Sequence, residues 1–214
     1  MKVYLSPSDQ WSNTVAGAKH SEAFHCFKIA DYARIYLELN GYEVKVGESV
    51  TENTYKNRVI ESNKWGSDLH IPIHTNAGGG EGTLMLCYPT RTSNKYVNSI
   101  YTEVANLTPT EDRGIQASKN LYEITATKGL TAYLECEFHD NVVTENWIDN
   151  HVKELGMAIA RGVCKADGKS FVSETKKETK YRVQVGAFEN RANAEKMRTE
   201  LKDKGYEAFI VEVL

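Results

Sequence analysis

Two short stretches carry side chains that could do hydrolytic chemistry together. In Asp68-Leu-His-Ile-Pro-Ile-His-Thr-Asn-Ala77, Leu69, Ile71 and Ile73 alternate with His70, Pro72 and His74, and Gly78-Gly79-Gly80 follows. A period of two puts the polar positions on one face of a strand. His74 stands where that strand stops and a glycine loop, expected to be mobile, begins. In α/β sheets, sites form outside the carboxyl ends of the strands. The second stretch, Tyr133-Leu-Glu-Cys-Glu-Phe-His-Asp140, has the same form. Tyr133, Glu135, Glu137 and His139 share one face, and Leu134, Cys136 and Phe138 share the other. One strand ending in His and another carrying acids point to a metal site with a carboxylate beside it. Periodicity alone leaves His70 and His74 open, because both lie on the same face.

Hydrolytic zinc sites use three protein ligands and leave a fourth position to water. The metal brings the pKa of that water to about 7, and a nearby carboxylate can take and return the proton. His74 is a candidate ligand. Glu22, near the start of the first long helix, is a second, and Glu135 is a candidate general base. Each residue also has a plainer use: a strand-end His holds hydrogen bonds, a first-turn Glu complements the helix dipole, and a strand acid can be solvated. No HExxH or CxxC spacing is present.

These residues need elements to position them. Val3 to Leu5 reads as a strand, Ser21 to Asn40 as a helix stopped by Gly41, and Tyr42 to Val46 as a second strand. That opening is a βαβ unit and predicts a parallel sheet. Helices are expected over 55–65, 93–107 and 145–164, and further strands over 68–74, 84–88 and 131–138. The fold class is therefore α/β, a mostly parallel twisted sheet flanked by helices. After Cys164 the composition turns polar and charged, so residues 166–179 read as a linker. Residues 180–214 then form a small β-α-β domain, with strands over 181–188 and 206–213 around a helix over 191–204. The unit is too small to bury much core alone, so pairing into a homodimer is an option.

Bulk properties narrow the function class. The chain has 214 residues and a net charge of −3, and the Lys and Arg residues of 176–198 are interleaved with acids, which argues against nucleic acid or an anionic membrane as partner. No run reaches the roughly 18 apolar residues of a membrane span, so membrane insertion is not expected. The start, Met1-Lys-Val-Tyr-Leu-Ser-Pro7, lacks the apolar stretch of a signal peptide. The expectation is a protein made in the cytoplasm that reaches any outer target only after release. Cys26, Cys87, Cys136 and Cys164 are widely spaced and read as free, buried thiols.

From Lys2 to about Lys165 the chain resembles the zinc-dependent N-acetylmuramoyl-L-alanine amidases. The family segment Ala-Asp-x-x-Ile-Ser-Ile-His-Ala-Asn-Ala is matched by Ser67 to Ala77, followed by Gly82-Thr83. Its Leu-(Ile/Val)-Glu-x-Gly-Phe is matched by Tyr133 to Phe138, and the Glu opening its first long helix by Glu22. The resemblance implies Zn2+ bound by Glu22 and His74, with Glu135 as catalytic acid/base. The substrate would be bacterial peptidoglycan, cut between N-acetylmuramic acid and L-alanine, and the setting a phage endolysin or a bacterial autolysin. It selects His74 over His70. One departure is plain: the family's first ligand is the His of Asp-Pro-Gly-His, where this chain has Ser6-Pro7-Ser8-Asp9-Gln10. Gln10 is the leading replacement, with Asp9, His20, His25 and His139 as alternatives. Glu137 replaces the usual Gly and, close to Glu135, would raise one of the two pKa values by repulsion. The tail from Tyr181 resembles the first half of a SPOR domain, which implies binding to peptidoglycan glycan strands.

Overall fold

The computed structural model describes residues 1–13, 20–48, 54–174 and 184–210. It divides into two compact units, Met1–Thr175 and Lys176–Leu214.

In the first unit, β1 (Lys2–Pro7), α1 (Glu22–Leu39) and β2 (Glu43–Val46) form the expected βαβ opening. There follow α2 (Tyr55–Trp65), β3 (Leu69–Asn76), β4 (Leu84–Cys87), α3 (Lys95–Ala105), β5 (Gly114–Ala117), α4 (Tyr122–Ala126), β6 (Leu130–Thr131), β7 (Tyr133–Phe138) and α5 (Val142–Ala166). The strand order is β2-β1-β3-β7-β4-β5, with β6 on β3. Among the described residues all pairings are parallel except β4 with β7. The short β5, α4 and β6 carry too little periodicity to have been read from sequence.

The two faces of the sheet differ in chemistry. Val3, Leu5, Ile71, Ile73 and Leu134 pack with Ile29 and Leu37 of α1, Val97 and Ile100 of α3, and Leu155 and Ile159 of α5 in the apolar core. Burying a side chain of this size contributes about 1.5–3 kcal/mol. The alternate residues of the same strands, including Tyr4, Ser6, His70 and His74, meet a polar layer under α2 and α4. Here Arg58 of α2, fully buried, donates to the carbonyls of Pro7 and Glu48. A strand sandwiched by helices on both faces is buried throughout, and only Asn76 of β3 escapes full burial.

The β3–β7 register slips between His74 and Asn76: His74 pairs with Glu135 but Asn76 with Phe138. One extra residue of β7 opposes β3, and the alternation breaks there. All four cysteines are free and buried. Among the described residues no helix is long and apolar enough to cross a membrane.

Part of the segment expected to be linker is docked. Phe171 packs against the core, and Asn40 exchanges two hydrogen bonds with the backbone of Val172. In the second unit, α6 (Arg191–Asp203) forms, capped by Asn190. The two tail strands expected around it are corrected in part: 184–188 and 206–210 are irregular, and the rest of each lies outside the described residues. None of α6's side chains is buried, and two strands without a wider sheet have little to hold them in register.

Candidate active site

Three parallel connections deliver side chains to one edge. Parallel β1, β3 and β7 end on the same side, so the loop after β1, the end of β3 and the polar face of β7 converge. The start of α1 lies at this edge because its chain leaves β1 there. Ser21 caps the helix, its hydroxyl accepting from the Phe24 amide. That places Glu22 in the first turn, almost fully buried.

Glu22 and His74 are brought together. Glu22 Oε1 lies 2.9 Å from His74 Nδ1, and Glu22 Oε2 accepts from Asn13 Nδ2 at 2.8 Å. Tyr133 stacks on the His74 ring at 4.7 Å. Glu135, register partner of His74, adjoins this pair. Among the described residues its Oε2 is buried with no hydrogen-bond partner. Burial pushes the Glu135 carboxyl up to about 7, against the opposing pull of His74.

A third carboxylate, which sequence reasoning missed, completes the cluster. Glu123 of α4 is buried, and its Oε2 lies 3.8 Å from His74 Nε2. Its Oε1 accepts from Ser6 Oγ at 2.6 Å and meets His70 Nε2 at 3.2 Å. Burial alone would hold the His74 ring below its ordinary pKa, but the facing carboxylates of Glu123 and Glu22 outweigh it and raise it. Both acids are held low: burial raises them, and the histidines, with Asn13 beside Glu22, overcome it.

The other candidate ligands take separate places. Gln10 is exposed at the rim, its Oε1 3.4 Å from the same Asn13 Nδ2 that serves Glu22. Asp9 accepts from the Tyr55 amide at the start of α2. His25 lies 3.7 and 3.6 Å from Glu145 and Asp149 of α5, and His20 is 3.7 Å from Asp149. His139 Nδ1 meets the Thr75 hydroxyl at 3.0 Å. Glu137 is not the source of the Glu135 shift. Beyond the slipped register it accepts from the amides of Gly82 and Phe138 and from the Thr110 hydroxyl. Gly82 has φ +102°, and a Cβ there would meet the Glu111 carbonyl at 2.1 Å, so only glycine lets this loop close on Glu137. The glycine loop expected to be mobile is pinned, since the Asp140 carboxylate accepts from the amides of Gly78 and Gly79 at 2.6 and 2.8 Å.

Among the described residues no three His, Cys, Asp or Glu side chains are arranged to hold a metal ion together. The reason is visible in the ring of His74: Glu22 and Glu123 occupy opposite nitrogens, so a single ion beside the ring could meet only one of them with it. On the Nδ1 side stands Glu22, with Asn13 Nδ2 on its other oxygen and Gln10 Oε1 on that same amide.

The N-acetylmuramoyl-L-alanine amidase family profile matches residues 9–165. The chain belongs to that family. The SPOR domain profile matches residues 166–213 of this amidase. The amidase is 26% identical over 217 residues to the N-acetylmuramoyl-L-alanine amidase CwlM of Bacillus licheniformis, across 99% of this chain and 85% of that one. It is 28% identical over 221 residues to the sporulation-specific N-acetylmuramoyl-L-alanine amidase of Bacillus subtilis (strain 168), across 99% and 84%. Its fold is similar to the catalytic domain of CwlV from Bacillus (Paenibacillus) polymyxa var. colistinus, with a TM-score of 0.70 at 21% identity over 79% of this chain and 99% of that one. The catalytic domain of the CD27L endolysin gives 0.61 at 22% identity over 77% and 97%.

Proposed function

We propose that this amidase hydrolyses the amide between N-acetylmuramic acid and the L-alanine of the stem peptide, using a zinc ion held by Glu22 and His74 with Gln10 at the third position. The supporting observation is the 2.9 Å contact of Glu22 with His74 beside a buried carboxylate, Glu135, whose Oε2 has no hydrogen-bond partner among the described residues. Glu22 and His74 are ligand types that zinc takes, and Gln10 would add an amide oxygen from the rim. Zinc, when bound there, would supply Lewis acidity that makes water easier to deprotonate and polarises the scissile carbonyl. Glu135 Oε2 takes the proton of the attacking water and returns it to the L-alanine nitrogen as the C–N bond breaks. A carboxyl poised at about 7 suits both directions of that transfer near neutrality. Tyr133, stacked on His74, limits the tilt of its ring.

The tail is proposed to hold the enzyme on the wall, with a homodimer of tails as one way to complete its sheet. The setting we favour is an endolysin acting on the wall after release through a membrane hole. An autolysin freed at mother-cell lysis is a second setting, favoured by similarity to a sporulation-specific amidase across 99% of the chain. Digestion of purified walls by the zinc-loaded protein tests the reaction. The expected products are new N-terminal alanine and no new reducing sugar. Cleavage inside the stem peptide would replace the amidase by a peptidase, and no product at all would leave only a wall-binding protein.

A further inference from the structure

Glu123 has no counterpart in the readings drawn from sequence, yet it is buried and held at both its carboxylate and its backbone carbonyl. Oε1 is engaged by Ser6 of β1 and His70 of β3. His70 is in turn fixed by Ser62 at 3.0 Å, itself 2.6 Å from Ser67, and its ring stacks on Tyr4 with an interplanar angle of 8°. The Glu123 carbonyl accepts from the hydroxyls of Thr127 and Thr131. Only Oε2 is left over, and it faces His74 Nε2 at 3.8 Å. That is an ion-pair contact. Every other contact of this carboxylate fixes where Oε2 points.

An imidazole that binds a metal through one nitrogen donates the N–H of the other to a carboxylate, carbonyl or water, which fixes its tautomer and orientation. Here Nδ1 faces Glu22 and Nε2 faces Glu123. We propose that Glu123 is a positioning residue: it receives the Nε2–H of His74, so that the Nδ1 lone pair is presented on the Glu22 side, where the proposed metal is held. Ser6 and His70 form a further tier that holds Glu123. This inference rests on the zinc reading above, and it distinguishes the two carboxylates flanking one ring, Glu22 as ligand and Glu123 as anchor.

The test uses the full chain and zinc affinity measured by competition with a chromogenic chelator, beside melting curves. Glu123→Ala is expected to weaken zinc binding 10- to 100-fold, the range for loss of such an anchor. Glu123→Gln, whose amide oxygen still accepts an N–H, is expected to lose less. In the zinc-loaded wild type, NMR should show a slowly exchanging His74 Nε2–H, retained in Glu123→Gln and lost in Glu123→Ala. If wild type binds zinc and Glu123→Gln and Glu123→Ala bind it as tightly, the positioning role is wrong and the zinc amidase reading stands. Should Glu123→Ala fail to fold, Glu123→Leu, which fills the volume without an acceptor, takes its place, and wild-type zinc affinity in that variant overturns the proposal. If wild type binds no zinc, the metal reading falls and this role with it.

Discussion

Glu135 carries two consequences at the scale of a single residue. Glu135→Gln keeps shape and removes the base, so wall cleavage should fall by about 10²–10⁴-fold while zinc content is retained; undiminished turnover would remove Glu135 from the mechanism. The same variant isolates a linkage effect in the metal-free protein. Burial raises the folded-state pKa from 4.5 to about 7. Between those values the native state binds more protons than the unfolded one, so this group's stabilising share is complete below about pH 4.5 and is lost as pH rises through 7. At 1.36 kcal/mol per unit the loss is about 3 kcal/mol. Urea unfolding at pH 4.5 and pH 8 should show a smaller decline in Glu135→Gln than in wild type, and equal declines would refute the burial argument. Alternation put Glu135 and His74 on polar strand faces beside Glu137 and His70, and the family resemblance then singled them out. Glu123 was not legible in the sequence. It lies in a helix of five residues, and its partner Ser6 is 117 positions away. Glu137 was misread because alternation assumes an unbroken register, and the slip in β7 is a property of the pairing rather than of the strand's own residues.

At the scale of elements, the position of Glu22 depends on how α1 seats against α5. The contact is made close by Gly156, where an added Cβ would stand 2.5 Å from Tyr32 Cβ and 2.7 Å from the Ala33 amide nitrogen, both in α1. Alanine would gain up to about 1 kcal/mol of helix propensity. Overpacking against backbone costs about 1–3 kcal/mol, and here it should win. Gly156→Ala is expected to lower the urea midpoint with an unchanged slope; a raised midpoint would show that the α1–α5 seam yields easily. The helices α1, α2, α3 and α5 were readable from apolar spacing, since each is long enough to show its period. The tail strands were not secured in the same way, because strand order depends on neighbours that a single β-α-β unit does not supply.

For the molecule as a whole, the two units invite a truncation, and the packing says where to cut. Phe171 and the Asn40–Val172 hydrogen bonds belong to the catalytic unit, so the deletion should begin at residue 175 rather than 166. Lacking 175–214, the protein is expected to keep its melting temperature and its turnover of small soluble muropeptides while losing affinity in wall pull-down. Equal wall binding by the truncated form would argue against a binding tail. By itself the sequence determined the α/β class, the family, and the residue types at three places on the chain, because helix and strand periods and short motifs are written locally. What only the tertiary structure decided is which atom faces which. The parallel sheet sets Ser6, His70 and His74 side by side under α4, the register slip turns Glu137 away from Glu135, and Glu22 and Glu123 come to opposite nitrogens of one ring. Those relations join positions far apart in sequence, and they exist only once the strands have paired.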